Sequence, residues 1–169
     1  MARTLVLGLG NDFAGDDAVG VLVVRALLLE LEDVADVVES ASSGLGLLEI
    51  LAGYDRAVIV DSVVTGRAAP GTIVELGLDE VGEVVAPSVH HTGLPELAAV
   101  AGRLGLGFPS TTRVLAVEVV DPYTLGAGLS EPVARAVDEV IARVRALVRT
   151  WEGDAACTTT TPPSRSSAG

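Results

Sequence analysis

Cysteine and positive charge are scarce in this sequence. A single cysteine, Cys157, excludes an internal disulfide framework and a cysteine-rich zinc site. The 11 basic residues are all arginine, against 23 acidic ones, which gives a net charge of -12. Such a surface repels phosphate, so we expect neither nucleic acid nor an anionic membrane as a partner. No apolar run reaches the roughly 18 to 20 residues of a membrane span, and no signal peptide is apparent, which predicts a cytoplasmic protein.

Hydrophobic residues make up 49% of the 169 positions, enough for one globular domain with a core of its own. We place this domain at residues 1–151. Residues 152–169, rich in Thr, Ser and Pro, form a low-complexity tail that we expect to be disordered. Cys157 lies in this tail, so a catalytic thiol is not expected.

Strand and helix patterns alternate along the chain and predict an α/β fold, a three-layer α/β/α sandwich with a mostly parallel sheet. The first helix is predicted from Asp16, and Ser42 or Ser43 is expected to cap the second. Ser130 is expected to cap a long last helix. Gly77–Ser88 has no clear period and is predicted to be a loop. The apolar stripe of the first helix is predicted at these positions: Val19, Leu22, Val23, Ala26, Leu27 and Leu31.

The stretch "LVLGLGNDFAGDDAVGV" (residues 5–21) follows the first predicted strand with glycines at positions 8, 10 and 15, which allow a tight turn. A dinucleotide site is one interpretation, with Glu39 as the ribose-binding acid, but Phe13 replaces the third glycine. Asp16 and Asp17 would repel a pyrophosphate at this helix start. An N-cap role explains Asp16, whereas Asp17 becomes a candidate metal ligand.

Asp61 ends the apolar strand "AVIV", where a carboxylate could bind loop amides or a metal. His90 and His91, in "SVHHTGLPEL", are the two histidines of the chain. Loops after strands of an α/β sheet can converge, so two carboxylates and one imidazole could form a set. That set suits nickel, manganese, iron or zinc with open positions for substrate.

Other hydrolase and nucleotide signatures are missing. The sequence has no Gly-x-Ser-x-Gly elbow, no Gly-x-x-x-x-Gly-Lys-Ser/Thr loop and no H-E-x-x-H motif. No nucleophile is evident either.

Taken together and in order, several segments resemble the hydrogenase maturation proteases, endopeptidases that process [NiFe]-hydrogenase large subunits. The resemblance runs from about Leu5 to Val148 and is most specific in "LGLGNDFAGDDAVG". It continues in these segments: "SSGLGLLEIL", "VIVDSVVTGRAAPGT", "SVHHTGLPEL" and "GLSEPVARAV".

The resemblance implies a twisted mixed sheet and assigns the metal-contacting and catalytic roles to Asp17, Asp61 and His90. His90, rather than His91, matches the family's spacing to Ser88, Leu94 and Glu96. The implied reaction is removal of a C-terminal extension from the large-subunit precursor after nickel insertion. Nickel would be recognised while the precursor holds it, and no organic cofactor is implied.

Two candidate helpers, Asp16 and Glu96, lie close in sequence to the implied ligands, although an N-cap and an exposed helix-face acid explain them as well. We expect a monomer, because no exposed apolar stripe stands out in the sequence. Two alternatives remain at this point: a nickel-binding chaperone or inactive family member, and a nucleotide-binding α/β protein.

Overall fold

The computed structural model describes residues 2–81 and 93–158, in which strands and helices alternate as predicted. The strands are β1 (Thr4–Leu9), β2 (Asp36–Ser40), β3 (Arg56–Val63), β4 (Ile73–Gly77) and β5 (Thr111–Glu118). The helices are α1 (Val19–Leu31), α2 (Leu45–Leu51), α3 (Leu78–Val81), α4 (Leu94–Leu104) and α5 (Glu131–Thr158). A short 3-10 turn, Gly15–Ala18, precedes α1.

The five strands form one mixed sheet in the order β2-β1-β3-β5-β4. β1, β2, β3 and β5 run parallel, and β4 is an antiparallel edge strand paired with β5. The predicted mixed, mostly parallel sheet is confirmed. Parallel strands align their carboxyl ends, so β1, β3 and β5 end at the same edge of the sheet.

Helices cover both faces of the sheet, which confirms the three-layer α/β/α architecture. Alternate residues of the strands point to opposite faces, so Leu7 and Ile59 join one core cluster while Val6 and Val58 join the other. The first cluster contains buried residues of α2, α3 and α4, and the second contains those of α1 and α5. Burial on both faces explains why the parallel strands are continuous apolar runs.

Two glycines let α1 approach the sheet unusually closely. A Cβ on Gly20 of α1 would lie 2.3 Å from the Leu9 carbonyl oxygen and 2.5 Å from that of Val60. A Cβ on Gly8 would lie 2.3 Å from the Gly20 carbonyl oxygen. Gly8 therefore lies in β1 at a helix contact, not in the turn where the sequence analysis placed it.

Four of the six predicted stripe positions of α1 are buried, namely Val19, Val23, Leu27 and Leu31. Leu22 and Ala26 are exposed, while Val21 and Val24 are buried. The helix predicted from Asp16 begins at Val19, after a 3-10 turn. All six predicted positions lie within α1 itself, so the difference is a buried face centred slightly to one side of the predicted stripe, the side on which Gly20 contacts the ends of β1 and β3.

Two other local predictions also differ from the structure. α2 begins after Gly44, whose positive φ of 54° suits glycine, and neither Ser42 nor Ser43 caps it by its side chain. α3 forms within the predicted loop 77–88. α5 continues through Thr158, so Cys157 falls within its last turn, and the domain boundary at residue 151 stays a prediction. Residues 159–169 of the predicted tail lie outside the described residues.

Within residues 2–81 and 93–158, no helix combines the length and apolar character needed to cross a membrane.

Candidate active site

Buried acidic side chains gather at the edge where β1, β3 and β5 end. Acidic residues are almost never fully buried unless they are paired or hydrogen-bonded. In the described part of the chain, four acids are at least nine-tenths buried, and all four lie at or just beyond the carboxyl ends of these strands: Asp16, Asp17, Asp61 and Glu118.

Asp17 is held in the 3-10 turn by two donors from different elements. The Asn11 backbone N–H donates to Oδ2 at 2.8 Å, and the Ser62 hydroxyl donates to Oδ1 at 2.7 Å. The turn leaves no room for a side chain at Gly10, because a Cβ there would lie 1.9 Å from the Asp17 carbonyl oxygen. Gly10 also has a φ of 135°, which L side chains rarely adopt. The Gly10–Asn11 pair therefore positions the Asp17 carboxylate.

Asp61 occupies the third position from the end of β3, and its side chain is fully buried. Its Oδ1 accepts the backbone N–H of Ser62 at 2.8 Å. Ser62 thus bonds Asp61 through its backbone and Asp17 through its hydroxyl. Asp17 and Asp61 therefore share Ser62 as a hydrogen-bond partner at the edge where β1 and β3 end, as the convergence of strand ends predicted.

The histidine part of the predicted set, His90 and His91, lies outside the described residues, as does Ser88. Glu96, on α4, is exposed. Among the residues that the structure describes, no three His, Cys, Asp or Glu side chains form a group able to hold a metal ion. Asp17 and Asp61 alone do not complete such a site, and the choice of His90 stays a prediction.

Asp16 ties the acidic turn to the start of the last helix. Its Oδ1 accepts the Ser130 backbone N–H at 2.6 Å, and its Oδ2 accepts the Ser130 hydroxyl at 2.9 Å. The residue at the N-cap of the 3-10 turn is Ala14, so the predicted N-cap role of Asp16 is wrong. Ser130 does precede α5, as predicted, but its hydroxyl serves the link to Asp16.

The acid expected to bind a ribose is engaged in an ion pair. Arg25 donates to both carboxylate oxygens of Glu39, at 2.5 and 2.9 Å, and to Asp12 at 2.9 Å. The Arg25 hydrogen bonds lower the pKa of Glu39. These residues line a cavity of about 360 Å³ beside Gly10 and Asn11. The ion pair leaves Glu39 committed to Arg25, which is against the dinucleotide interpretation.

Glu118 is a buried residue of this edge that the sequence analysis did not single out. Its Oε1 accepts the backbone N–H groups of Thr65 and Gly66, both at 2.8 Å. Its Oε2 accepts the Thr65 hydroxyl at 2.5 Å. An acid within the apolar strand "VLAVEVV" was the available signal. Glu118 fixes the loop that follows β3, the strand that carries Asp61.

Glu118→Ala should destabilise the protein by about 2 to 4 kcal/mol, because it leaves three donors of the 65–66 loop without their acceptor. Urea unfolding measures this change. Glu75→Ala is the matched control, since Glu75 is an exposed acid on β4 whose 3.6 Å ion pair with Arg113 should contribute at most about 1 kcal/mol. Equal free energies of unfolding for the two variants would contradict the role assigned to Glu118.

Comparison with known proteins agrees with the family resemblance seen in the motifs. A family model described as hydrogenase maturation protease (HycI) matches residues 21–146. The hydrogenase 2 maturation protease of Escherichia coli (strain K12) is 31% identical over 153 residues, which cover 87% of this chain and 91% of the relative.

Solved structures agree with the sequence comparison. The hydrogenase maturating endopeptidase HybD from E. coli aligns with a TM-score of 0.72 at 28% identity, over 88% of this chain and 93% of that chain. The [NiFe] hydrogenase maturation protease HybD from Thermococcus kodakarensis aligns with a TM-score of 0.69 at 25% identity, over 86% and 99%. These findings confirm the resemblance seen in the motifs: the chain belongs to the hydrogenase maturation protease family and is a peptidase.

Proposed function

We propose that this peptidase removes the C-terminal extension of a [NiFe]-hydrogenase large-subunit precursor after nickel has been inserted. Membership of the family supports the reaction class and the partner. The observation that carries the proposal is the pair of buried carboxylates, Asp17 and Asp61, joined through Ser62 where two parallel strands end.

In this proposal nickel belongs to the substrate, and the protein recognises the ion by contacting it with Asp17, Asp61 and His90. Carboxylate oxygens and an imidazole nitrogen are suitable ligands for a borderline divalent ion. Burial lowers the local dielectric and strengthens the attraction between the carboxylates and a cation brought by the precursor. The hydrogen bonds from Asn11 and Ser62 orient the Asp17 oxygens before the precursor arrives.

Nickel recognition of this kind ensures that cleavage of the precursor follows nickel insertion. A precursor without nickel offers the two carboxylates no positive charge to neutralise them, so its extension is not held at the site. A loaded precursor supplies that charge, and the segment to be cut is then fixed beside the strand ends. The proposal takes the protein to act as a cytoplasmic monomer without an organic cofactor, as expected from the sequence.

Mass spectrometry of the nickel-loaded precursor, incubated with and without this protein, tests the proposal. We expect the precursor to lose one C-terminal peptide in the presence of the protein and to stay intact without it. A precursor that binds the protein and is never cut would contradict the proposal and favour the nickel-chaperone alternative.

A further inference from the structure

One arginine joins three elements beside the turn that carries Asp17. Arg25, on α1, donates to both carboxylate oxygens of Glu39, at 2.5 and 2.9 Å, and to Asp12 at 2.9 Å. Glu39 belongs to β2, and Asp12 lies in the loop 10–14 between β1 and the 3-10 turn. The hydrogen bond with Glu39, followed by that with Asp12, raises the pKa of Arg25. We call these three residues the Arg25 link: Asp12, Arg25 and Glu39.

The Arg25 link spans the cavity of about 360 Å³ beside Gly10 and Asn11. Residues 10–13 line one side of this cavity, and residues of α1 and residues 39–41 line the others. The cavity leaves a gap between the loop 10–14 and the two elements that face it. The loop is joined to these elements across the gap by the 2.9 Å ion pair of Asp12 with Arg25, and by the Gly10 N–H, which donates to the Ser40 carbonyl oxygen at 3.1 Å. The position of Asp12 therefore depends on Arg25.

The turn that contains Asp12 supplies a hydrogen bond to Asp17. The Asn11 N–H donates to the Asp17 Oδ2 at 2.8 Å. The Asn11 carbonyl oxygen accepts the Ala14 N–H, and the Asn11 side-chain oxygen accepts the Phe13 N–H, both at 3.0 Å. Asp12 lies inside this closed turn, directly after Asn11, so a displacement of Asp12 also displaces the Asn11 N–H. The Arg25 link thereby acts on the Asp17 carboxylate through the backbone of Asn11.

The Arg25 link lies at the surface of the domain, and all three of its side chains are partly exposed. Exposed ion pairs contribute little to the free energy of unfolding. A two-pronged contact between an arginine and a carboxylate does fix the geometry of the groups that it joins. We therefore expect the link to order the loop 10–14 locally, with little effect on the stability of the whole domain.

We propose that Arg25 is a positioning residue of this peptidase, which holds Asp12 and so keeps the Asn11 N–H directed at the Asp17 carboxylate. Its effect on cleavage rests on the proposed function, because Asp17 contacts the nickel of the precursor there. Its effect on the hydrogen bond between Asn11 and Asp17 needs no substrate. The two effects are therefore measured separately.

Hydrogen exchange measured by NMR tests the Arg25 link in the free protein. Arg25→Gln removes the guanidinium group that holds Asp12. The Asn11 amide should then exchange at least about tenfold faster than in the wild type, because its hydrogen bond to Asp17 opens more often.

Arg145→Gln is the matched control for this measurement. Arg145, on α5, makes the same two-pronged contact with Glu30 in the last turn of α1, at 2.5 and 2.8 Å. We expect wild-type exchange of the Asn11 amide in the control, and similar urea midpoints for the two variants. Unchanged exchange in Arg25→Gln, equal acceleration in both variants, or a far lower urea midpoint for Arg25→Gln than for the control would each overturn the positioning role.

Cleavage of the nickel-loaded precursor tests the consequence for the reaction. Arg25→Gln and Asp12→Asn should each lower kcat/KM by about tenfold. The double variant should lose no more than either single variant, because both substitutions remove the same link. Arg145→Gln should match the wild type.

Two results of the cleavage assay would overturn the positioning role: a wild-type kcat/KM in Arg25→Gln, or a roughly hundredfold loss in the double variant, which would show that the two residues act independently. If the wild type never cuts the precursor, the proposed function fails, and the exchange of the Asn11 amide still decides whether Arg25 positions that group.

Discussion

Asp17→Asn should slow processing of the nickel-loaded precursor by at least about 100-fold, the scale of losing one preorganised charge interaction in an active site. The amide keeps the shape of the side chain. Its oxygen can accept the Asn11 N–H, and its NH2 group can donate to the Ser62 hydroxyl oxygen, which also accepts hydrogen bonds. What is lost is the negative charge beside Asp61. Initial rates of peptide release, followed by mass spectrometry, measure the effect.

The neighbouring buried acid provides the control for this substitution. Asp16→Asn changes an equally buried carboxylate one residue away, whose partner is Ser130 and not Ser62. The same exchange of donor and acceptor is possible there, so we expect processing close to the wild-type rate. If both variants lost activity equally, the special role of Asp17 would be refuted. Circular dichroism of both proteins verifies that they are folded.

Gly20→Ala should destabilise the domain by about 3 kcal/mol or more, at the upper end of overpacking effects. The added Cβ would lie 2.3 Å from the Leu9 carbonyl oxygen and 2.5 Å from that of Val60. Both obstacles are backbone atoms of central strands, so α1 itself must move away from the sheet. That movement would also displace the turn that carries Asp17. The free energy of unfolding in urea measures the loss.

Gly102→Ala is the matched control, because Gly102 is also a helical glycine. It lies exposed in α4, and no atom is within 4 Å of an added Cβ. Alanine there should stabilise the helix by up to about 1 kcal/mol. A Gly20→Ala protein as stable as the wild type would show that α1 does not pack as closely as the structure describes.

The sheet was predictable because its signals are local. Continuous apolar strands that alternate with amphipathic helices predict an α/β sandwich, and this prediction does not depend on individual side-chain contacts. The meeting of Asp17 and Asp61 was predictable for the same reason, since parallel neighbours end at one edge. Ser62, which joins the two carboxylates, was not predictable, because a serine at a strand end has many ordinary roles.

The errors came from contacts between distant parts of the chain. Asp16 has the usual sequence signature of an N-cap, but its actual partner, Ser130, is at the start of α5. In the sequence, Glu118 is one more charge in an acidic chain, and only the fold shows that it accepts hydrogen bonds from the 65–66 loop. The buried face of α1 includes Val21 and Val24, beside Gly20, whose close contact with the ends of β1 and β3 the apolar spacing does not reveal.

The nickel dependence of the reaction tests the central claim most directly. The wild-type protein is given equal amounts of nickel-loaded and nickel-free precursor in separate reactions, and the released peptide is measured over time. If Asp17, Asp61 and His90 contact the nickel held by the precursor, the nickel-loaded precursor should be cut at least about 100-fold faster than the nickel-free one. Equal rates for the two forms would contradict nickel recognition and leave only the peptidase activity itself.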